Sequence, residues 1–184
     1  LWHQQECMSH LVLSVNVSSR QFHQADFVQK VTSAIERYAI NPQLLKLELT
    51  ESMLLQNIDA TIATMLSLKK LGVQFSLDDF GTGYSSLQYL KRLPLDQLKI
   101  DQSFVRDVVI DENDRTIVRT IIAMADNLAL EIIAEGVETE EQRDILLMEG
   151  CAHYQGYLFS KPLPIDEFEI WFKNHINSYT NTDV

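Results

Sequence analysis

Apolar and polar residues alternate along six short stretches of the chain, and amphipathic stretches separate them. The six are predicted to be β-strands because successive side chains of a strand point to opposite faces. They are residues 11–17, 45–50, 73–78, 97–101, 130–135 and 152–157. Apolar positions at helical spacing, with glycine and proline at the ends, predict helices at residues 22–39, 58–71, 86–91, 114–128, 140–148 and 165–174.

This alternation predicts a parallel sheet covered by helices. Each strand has one apolar face, such as Leu13, Val15 and Val17 in the first strand. The opposite face is polar, most of all toward the carboxyl ends. An open doubly wound sheet needs two apolar faces, whereas a barrel needs only its outer face apolar. We therefore predict an α/β fold of the TIM type, a (β/α)8 barrel represented here by about six βα units.

The polar face of the predicted strands leads to a carboxylate-rich barrel mouth. Its expected residues are Asn16, Glu48, Asp78, Asp79, Lys99, Glu135 and Gln155. Four others fall deeper and are expected to form interior or rim polar pairs: Lys46, Gln74, Gln97 and Glu131. The mouth is the end at which barrels of this type carry their chemistry.

Four carboxylates at one mouth cannot all stay ionised without protons or cations to balance them. Carboxylate and amide oxygens favour hard cations such as Mg²⁺, Mn²⁺ or Ca²⁺ over zinc. Two ions about 3.5–4 Å apart would serve an in-line displacement at phosphorus. Asp78 and Asp79 are suited to share such ions, and Lys99 could orient a phosphate oxygen or an attacking hydroxide.

The composition narrows the class of protein. A chain of 184 residues with 46% hydrophobic content predicts one domain. Its formal net charge of -11 gives no electrostatic footprint for DNA or for an anionic membrane. The cysteines Cys7 and Cys151 have no metal-site spacing, which fits a reducing, cytoplasmic compartment. We find no signal peptide and no apolar run long enough to span a bilayer.

Several motifs in this chain resemble those of one known family. They are Asn16-Val17-Ser18, Glu48-Leu49-Thr50-Glu51-Ser52, Asp78-Asp79-Phe80-Gly81-Thr82-Gly83, Leu98-Lys99-Ile100-Asp101, Ala134-Glu135-Gly136-Val137-Glu138 and Gln155-Gly156-Tyr157. Together, in this order, they resemble the EAL-domain family of bacterial phosphodiesterases that act on cyclic di-GMP. The resemblance covers residues 12–172.

The resemblance implies hydrolysis of cyclic di-GMP to linear pGpG in second-messenger signalling. In such proteins two Mg²⁺ or Mn²⁺ ions activate the water, and Ca²⁺ usually inhibits. By motif match the implied metal ligands are Asn16, Glu48, Asp78, Asp79 and Glu135. Lys99 resembles the lysine beside the nucleophilic water, so the implied catalytic groups are Lys99, Glu135 and Asp79.

The same resemblance implies roles around the mouth. Gln155 looks like the glutamine that completes the substrate pocket, and Glu138 and Pro162 would lie near the edge of the ligand. Glu51 is similar to a glutamate that binds no metal but holds the loop formed by residues 79–86.

The Glu-Ala-Leu motif that names the family is absent, and we expect it on an earlier strand outside this chain. The missing glutamate is a metal ligand in the family, so we expect the chain alone to be weak or inactive. The expected domain spans residues 1–177, followed by a polar tail at 178–184. The resemblance also implies a homodimer and an upstream sensory or diguanylate-cyclase-type domain.

Two other functions remain open from the sequence. A non-catalytic receptor or scaffold of the same fold would bind cyclic di-GMP without cleaving it. An enolase-type barrel would hold Mg²⁺ with carboxylates on successive strands and use a lysine to take a proton beside a carboxylate.

Overall fold

Six parallel strands form the sheet in the computed structural model, which describes residues 6–54, 57–81 and 87–180. They are β1 (Leu13–Asn16), β2 (Leu45–Thr50), β3 (Gln74–Phe80), β4 (Gln97–Ile100), β5 (Glu131–Glu135) and β6 (Tyr154–Gln155). Their order across the sheet is their order along the chain, and every neighbouring pair is parallel. A doubly wound sheet reverses its order at a switch point. The sequential order is that of a TIM-type barrel and confirms the predicted fold class.

Nine α-helices in the described residues connect and cover the strands. They are α1 (Ser19–Phe22), α2 (Phe27–Tyr38), α3 (Glu51–Leu54), α4 (Ile58–Lys69), α5 (Leu87–Leu90), α6 (Gln102–Arg106), α7 (Glu112–Asn127), α8 (Glu140–Met148) and α9 (Ile165–Thr180). Among the helices of these ranges, none combines the length and the apolar character that crossing a bilayer would need.

The core lies between the sheet and the helices, as the apolar strand faces predict. Leu49, Phe75, Leu77, Leu98 and Ile100 are fully buried on the outer face of the sheet. They belong to one cluster with buried residues of the covering helices: Met65, Leu68, Val105, Val118, Ile122 and Leu146. Burial of this apolar surface stabilises the sheet, and the polar inner face is left for other contacts.

The outer face of β1 differs from its prediction. Leu13 and Val15 were expected to pack under helices, yet their exposed fractions are 54% and 38%. Val17, just past the strand, is buried, and its N–H donates to the carbonyl of Glu48. The apolar alternation identified the strand correctly, but it could not show whether a helix covers that strand.

The helix predicted at residues 22–39 is interrupted. Ser18 and Gln21 form a capping box that starts α1, which ends at Phe22. The chain then turns before α2 begins after Asp26. The ring of Phe22 packs on Phe27 with centroids 5.3 Å apart, so both apolar residues still reach the core.

Other boundaries shift by a few residues. β3 runs two residues past its predicted end, so Asp78 and Asp79 lie within the strand. The predicted strand at 152–157 shortens to β6, and α9 continues to Thr180, beyond the start of the predicted tail at 178. Before β1, Glu6–Met8 form a 3₁₀ turn, and residues 1–5 lie outside the described residues.

Candidate active site

Lys99 is the centre of the polar mouth of the sheet. Its Nζ lies 2.9 Å from Oε2 of Glu48, 3.0 Å from Oδ1 of Asp78 and 2.6 Å from Oε1 of Glu135. Only 5% of the lysine side chain is exposed, and the three acids are 10%, 16% and 17% exposed. One buried ammonium is therefore shared by carboxylates from three different strands.

Parallel strand register brings these groups together. Asn16 of β1 is the partner of Glu48 in β2, and Glu135 of β5 is the partner of Gln155 in β6. Each lies at or near the carboxyl end of its strand and on the inner face. The strand alternation seen in the sequence predicted this convergence, and the carboxyl ends are where such sheets carry function.

The pair Asp78 and Asp79 depends on an irregularity in β3. The register with β4 shifts between Leu77 and Phe80. Asp79 has a φ of 54°, a left-handed conformation that costs free energy in a residue other than glycine. The irregularity allows both adjacent carboxylates to reach the mouth, whereas a regular strand would send them to opposite faces.

These acids offer a fitting donor set for a hard cation. Asp78, Asp79 and Glu135 each present one carboxylate oxygen, and these oxygens all lie within 4.8 Å of one another. Oxygen donors at this separation suit Mg²⁺, Mn²⁺ or Ca²⁺. The residues present therefore fit the divalent metal that the resemblance implies.

The electrostatics of the mouth reflect burial and crowding of charge. Burial raises the pKa of Glu135 to about 7; the hydrogen bond from Lys99 opposes this shift, and the charge of Asp78 adds to it. Burial raises the pKa of Asp79, and the charges of Asp78 and Asp101 raise it further. Burial alone would lower the pKa of Lys99, but hydrogen bonds to Glu135 and Glu48 hold it above its usual range.

Asp101 is a member of the site to which no role was assigned from the sequence, although it lies in the motif Leu98-Lys99-Ile100-Asp101. It follows β4, is buried, and its carboxylate accepts a hydrogen bond of 2.9 Å from the N–H of Ser103 at the start of α6. A side-chain hydrogen bond also links it to Asp79 and contributes to the raised pKa of that acid. Its signal in the sequence was its position two residues after Lys99, on the same face.

Glu51 is buried at the start of α3, directly after β2. Within the described ranges, neither of its carboxylate oxygens has a hydrogen-bond partner. The loop that Glu51 was predicted to hold includes residues 82–86, which lie outside the described residues. Its role in holding that loop stays a prediction.

Gln155 and Pro162 line the same cavity, of about 560 Å³, together with aromatic side chains that include Phe159 and Trp171. Gly156 is required there, because a Cβ at this position would lie 2.0 Å from the carbonyl oxygen of Val137. This close approach fixes the backbone beside Gln155. The cavity joins two of the three residues predicted to contact the substrate.

Glu138, the third of these residues, lines a separate polar cavity of about 300 Å³ with Asp101, Arg106 and Gln142. Its backbone N–H donates to Oε1 of Gln142 at 2.7 Å. Glu138 therefore lies beside Asp101 rather than beside Gln155 and Pro162.

Deeper in the sheet, a second lysine has a different environment. Lys46 Nζ lies 3.6 Å from Oε2 of Glu131, and Gln97 donates to the same oxygen at 3.5 Å. Ser76 donates to Oε1 of Gln97 at 3.2 Å, and Gln74 donates to the carbonyl of Gln43 at 2.9 Å. The contacts of Lys46, Gln97 and Glu131 confirm the polar pairs predicted below the mouth. Gln74 differs, because its partner is a backbone carbonyl in the 3₁₀ turn Pro42–Leu44.

Comparison with known proteins adds an independent observation. The family model described as "EAL domain" matches residues 1–162 of the chain. The cyclic di-GMP phosphodiesterase NbdA of Pseudomonas aeruginosa is 47% identical over 159 residues, which cover 86% of this chain and 20% of that protein. The chain thus spans about a fifth of the length of this curated relative.

Solved structures share the fold closely. The PaMucR phosphodiesterase in complex with c-di-GMP is similar with a TM-score of 0.82 and 44% identity, over 85% of this chain and 64% of that chain. Klebsiella pneumoniae BlrP1, in a manganese/cy-diGMP complex, is similar with a TM-score of 0.79 and 30% identity, over 88% of this chain and 41% of that chain.

Proposed function

The chain belongs to the EAL domain family, and from this premise we propose that it forms the core of a metal-dependent phosphodiesterase that hydrolyses cyclic di-GMP to linear pGpG. The observation that carries the proposal is the buried ammonium of Lys99 between Glu48, Asp78 and Glu135. The names of the similar proteins, which act on or bind this dinucleotide, support the choice of substrate.

The proposed metal ligands are the oxygen donors of the mouth, namely Asn16, Glu48, Asp78, Asp79 and Glu135. The close approach of Asp78, Asp79 and Glu135 supports this assignment. Mg²⁺ or Mn²⁺ bound there would supply Lewis-acid activation of water and phosphate, with two ions expected and Ca²⁺ inhibitory. The manganese and calcium complexes of BlrP1 support a divalent cation.

The proposed catalytic groups are Lys99, Glu135 and Asp79. Lys99 donates hydrogen bonds from a fixed position, so its ammonium can orient a water or a phosphate oxygen at the mouth. Glu135 is placed to accept a proton at the mouth, because its carboxylate lies 2.6 Å from the ammonium of Lys99 and close to Asp78 and Asp79. Asp79 presents a carboxylate oxygen within 4.8 Å of those of Asp78 and Glu135.

The reaction breaks one of the two phosphodiester bonds of the ring. The water oxygen forms a bond to phosphorus, and the bond from phosphorus to the 3′ oxygen breaks. Glu135 accepts the proton of the attacking water, and the departing 3′ oxygen takes a proton from solvent. The product is a linear dinucleotide with a 5′ phosphate.

The substrate contacts are assigned to Gln155, Pro162 and Glu138. The cavity that contains Gln155 and Pro162 has aromatic walls on which a guanine base can pack. Glu138 lines a separate polar cavity with Asp101 and Arg106, where its carboxylate could accept a hydrogen bond from the ligand. Glu51 is proposed to hold the loop at the mouth through its buried carboxylate.

The proposal also covers the oligomeric state, the compartment and the neighbouring domains of the whole protein. We expect a homodimer in the bacterial cytoplasm, coupled to a sensory or diguanylate-cyclase-type domain of the whole protein. The small share of its relatives that this chain covers supports additional domains in those relatives. The domain itself is assigned to residues 1–177.

Incubation with cyclic di-GMP and Mn²⁺, followed by chromatography for pGpG, tests the proposal. We expect the full-length natural protein to form pGpG and its Asp78→Asn variant to lose this activity. Asp59→Asn is the matched control, because Asp59 is an exposed acid paired with Arg92 on the surface. The same assay on residues 1–184 measures how much of the activity these residues carry.

The receptor or scaffold alternative has its own outcome in this assay. Tight binding of cyclic di-GMP without cleavage would show that the protein is a receptor or scaffold and not a phosphodiesterase. The match to the EAL domain favours the phosphodiesterase and the receptor or scaffold over the enolase-type barrel. Failure of the natural protein to bind or cleave the dinucleotide would overturn the proposal.

A further inference from the structure

We propose that Lys99 is a built-in competitor of the divalent cation: its ammonium holds the same carboxylates that the metal needs, and it thereby limits the affinity of the mouth for metal. The inference rests on the proposed function only in taking the mouth to be a metal site. The inference goes beyond the proposed function by giving Lys99 a second role, in addition to orienting the water.

The competition follows from shared partners. Asp78 and Glu135 contact Nζ of Lys99 at 3.0 and 2.6 Å. The same two residues, with Asp79, make up the group whose oxygens could hold a cation. A cation bound by these acids must either take oxygens from the ammonium or lie close to it. In both cases the positive charge of Lys99 opposes binding.

Burial makes this opposition strong. The Lys99 side chain is 5% exposed, so water screens it poorly, and it cannot move into solvent without leaving all three acids. The charge of Lys99 therefore acts on any cation in the mouth at short range and with little screening by water.

The chain contains a matched control for this lysine. Lys46 also lies on the inner face of the sheet and is 8% exposed, but it pairs with Glu131 at 3.6 Å, away from the mouth. Neutralising Lys46 changes the charge of the chain by the same amount as neutralising Lys99. Only the change at Lys99 removes a competitor from the carboxylates of the candidate metal site.

Calorimetric titration of the 184-residue chain with Mn²⁺ alone, without nucleotide, tests the inference. We expect Lys99→Gln to bind Mn²⁺ about tenfold more tightly or better, and Lys46→Gln to bind it as the wild type does. Equal or weaker binding by Lys99→Gln would overturn the inference and show that Lys99 supports the geometry of the site. Because no hydrolysis is measured, this outcome is independent of the test for phosphodiesterase activity.

A measurement on the wild-type chain covers the case in which Lys99→Gln does not fold. Nitrogen-detected NMR of lysine ammonium groups should show Lys99 protected from exchange by its three ion pairs. Titration with Mg²⁺ is expected to speed exchange of the Lys99 signal and to leave that of Lys46 unchanged. A Lys99 signal whose exchange rate and chemical shift are both unchanged at saturating Mg²⁺ would overturn the inference, because neither displacement of the ammonium nor a cation beside it would then occur.

Discussion

Two buried lysines on the same face of the sheet have opposite surroundings. Lys99, near the carboxyl end of β4, is held by three acids whose side chains are 10–17% exposed. Lys46, near the amino end of β2, meets a single glutamate, Glu131, whose side chain is 64% exposed. The same strand alternation turns both lysines inward. Their surroundings differ because the neighbouring strands carry several buried acids near their carboxyl ends and only one exposed acid near their amino ends.

This difference separates a functional cluster from a structural pair. One buried lysine with one exposed acid satisfies its charge and needs no further ligand. Several buried acids around one lysine leave negative charge that a cation or substrate can use. β5 connects the two levels, because Glu131 and Glu135 lie on the same face of that strand four residues apart.

The largest expected effect uses these two glutamates. Glu135→Gln is expected to lower the rate of pGpG formation about 10³-fold, because it removes a proposed metal ligand that is also the proposed proton acceptor. Glu131→Gln is expected to stay within about threefold of the wild type, since it changes only the deeper pair. Rates of pGpG formation with Mn²⁺ check this, and a similar loss in both variants would remove the distinction between the two levels.

The next effect is on the stability of the metal-free chain. Lys99→Gln is expected to lower the free energy of unfolding by about 3 kcal/mol, because it leaves buried carboxylates without their cation. Lys46→Gln is expected to cost about 1 kcal/mol or less, since its partner is exposed to water. Urea unfolding in the presence of a chelator measures both. A larger loss of unfolding free energy in Lys46→Gln would mean that the pair of Lys46 and Glu131 contributes more to stability than its geometry indicates.

Addition of metal should also distinguish Glu135 at the mouth from Glu131 deeper in the sheet. Mn²⁺ at about 100 times its dissociation constant is expected to stabilise the wild type by about 2.7 kcal/mol, because it binds only the folded state. Glu131→Gln should keep this stabilisation, and Glu135→Gln should lose most of it. Thermal unfolding with Mn²⁺ and with chelator provides the measurement. Full stabilisation of Glu135→Gln would exclude Glu135 as a ligand.

The smallest expected effect concerns an ion pair on the surface. Its contribution to stability is a reference for the losses expected at Lys99 and Lys46. Arg119 donates two hydrogen bonds of 2.7 Å to Glu149, and they lower the pKa of that glutamate. Because the folded state lowers this pKa, the pair stabilises the protein above the pKa of the unfolded chain, and the gain is lost as the pH falls. Arg119→Gln should therefore lower Tm slightly at pH 7 and converge on the wild type in acid. A difference that grows on acidification would contradict this sign.

Much of the site followed from the strand alternation alone. Period-two patterns assigned Glu48, Lys99 and Glu135 to the inner face, and parallel register made their meeting at one edge the expected result. The same pattern separated Gln97 and Glu131 as deeper groups, and their contact confirms this. These predictions succeeded because they depend on neighbours in the sequence and on the rule that parallel strands align.

Features that depend on distant partners could not be predicted in this way. The irregular register of β3 that positions Asp79 arises from its pairing with β4, which no local pattern encodes. The exposure of Leu13 and Val15 depends on which helices cover β1. The break between α1 and α2 was different, because the capping box of Ser18 and Gln21 is a local signal that could have been used.

The most direct test of the account compares the two lysines in catalysis. The natural protein and its Lys99→Gln and Lys46→Gln variants are incubated with cyclic di-GMP and Mn²⁺, and pGpG is quantified. The account predicts that Lys46→Gln keeps its rate within about threefold, while Lys99→Gln falls below about a hundredth of the wild-type rate. Equal rates in the two variants, or an active Lys99→Gln protein, would contradict the assignment of the mouth as the active site.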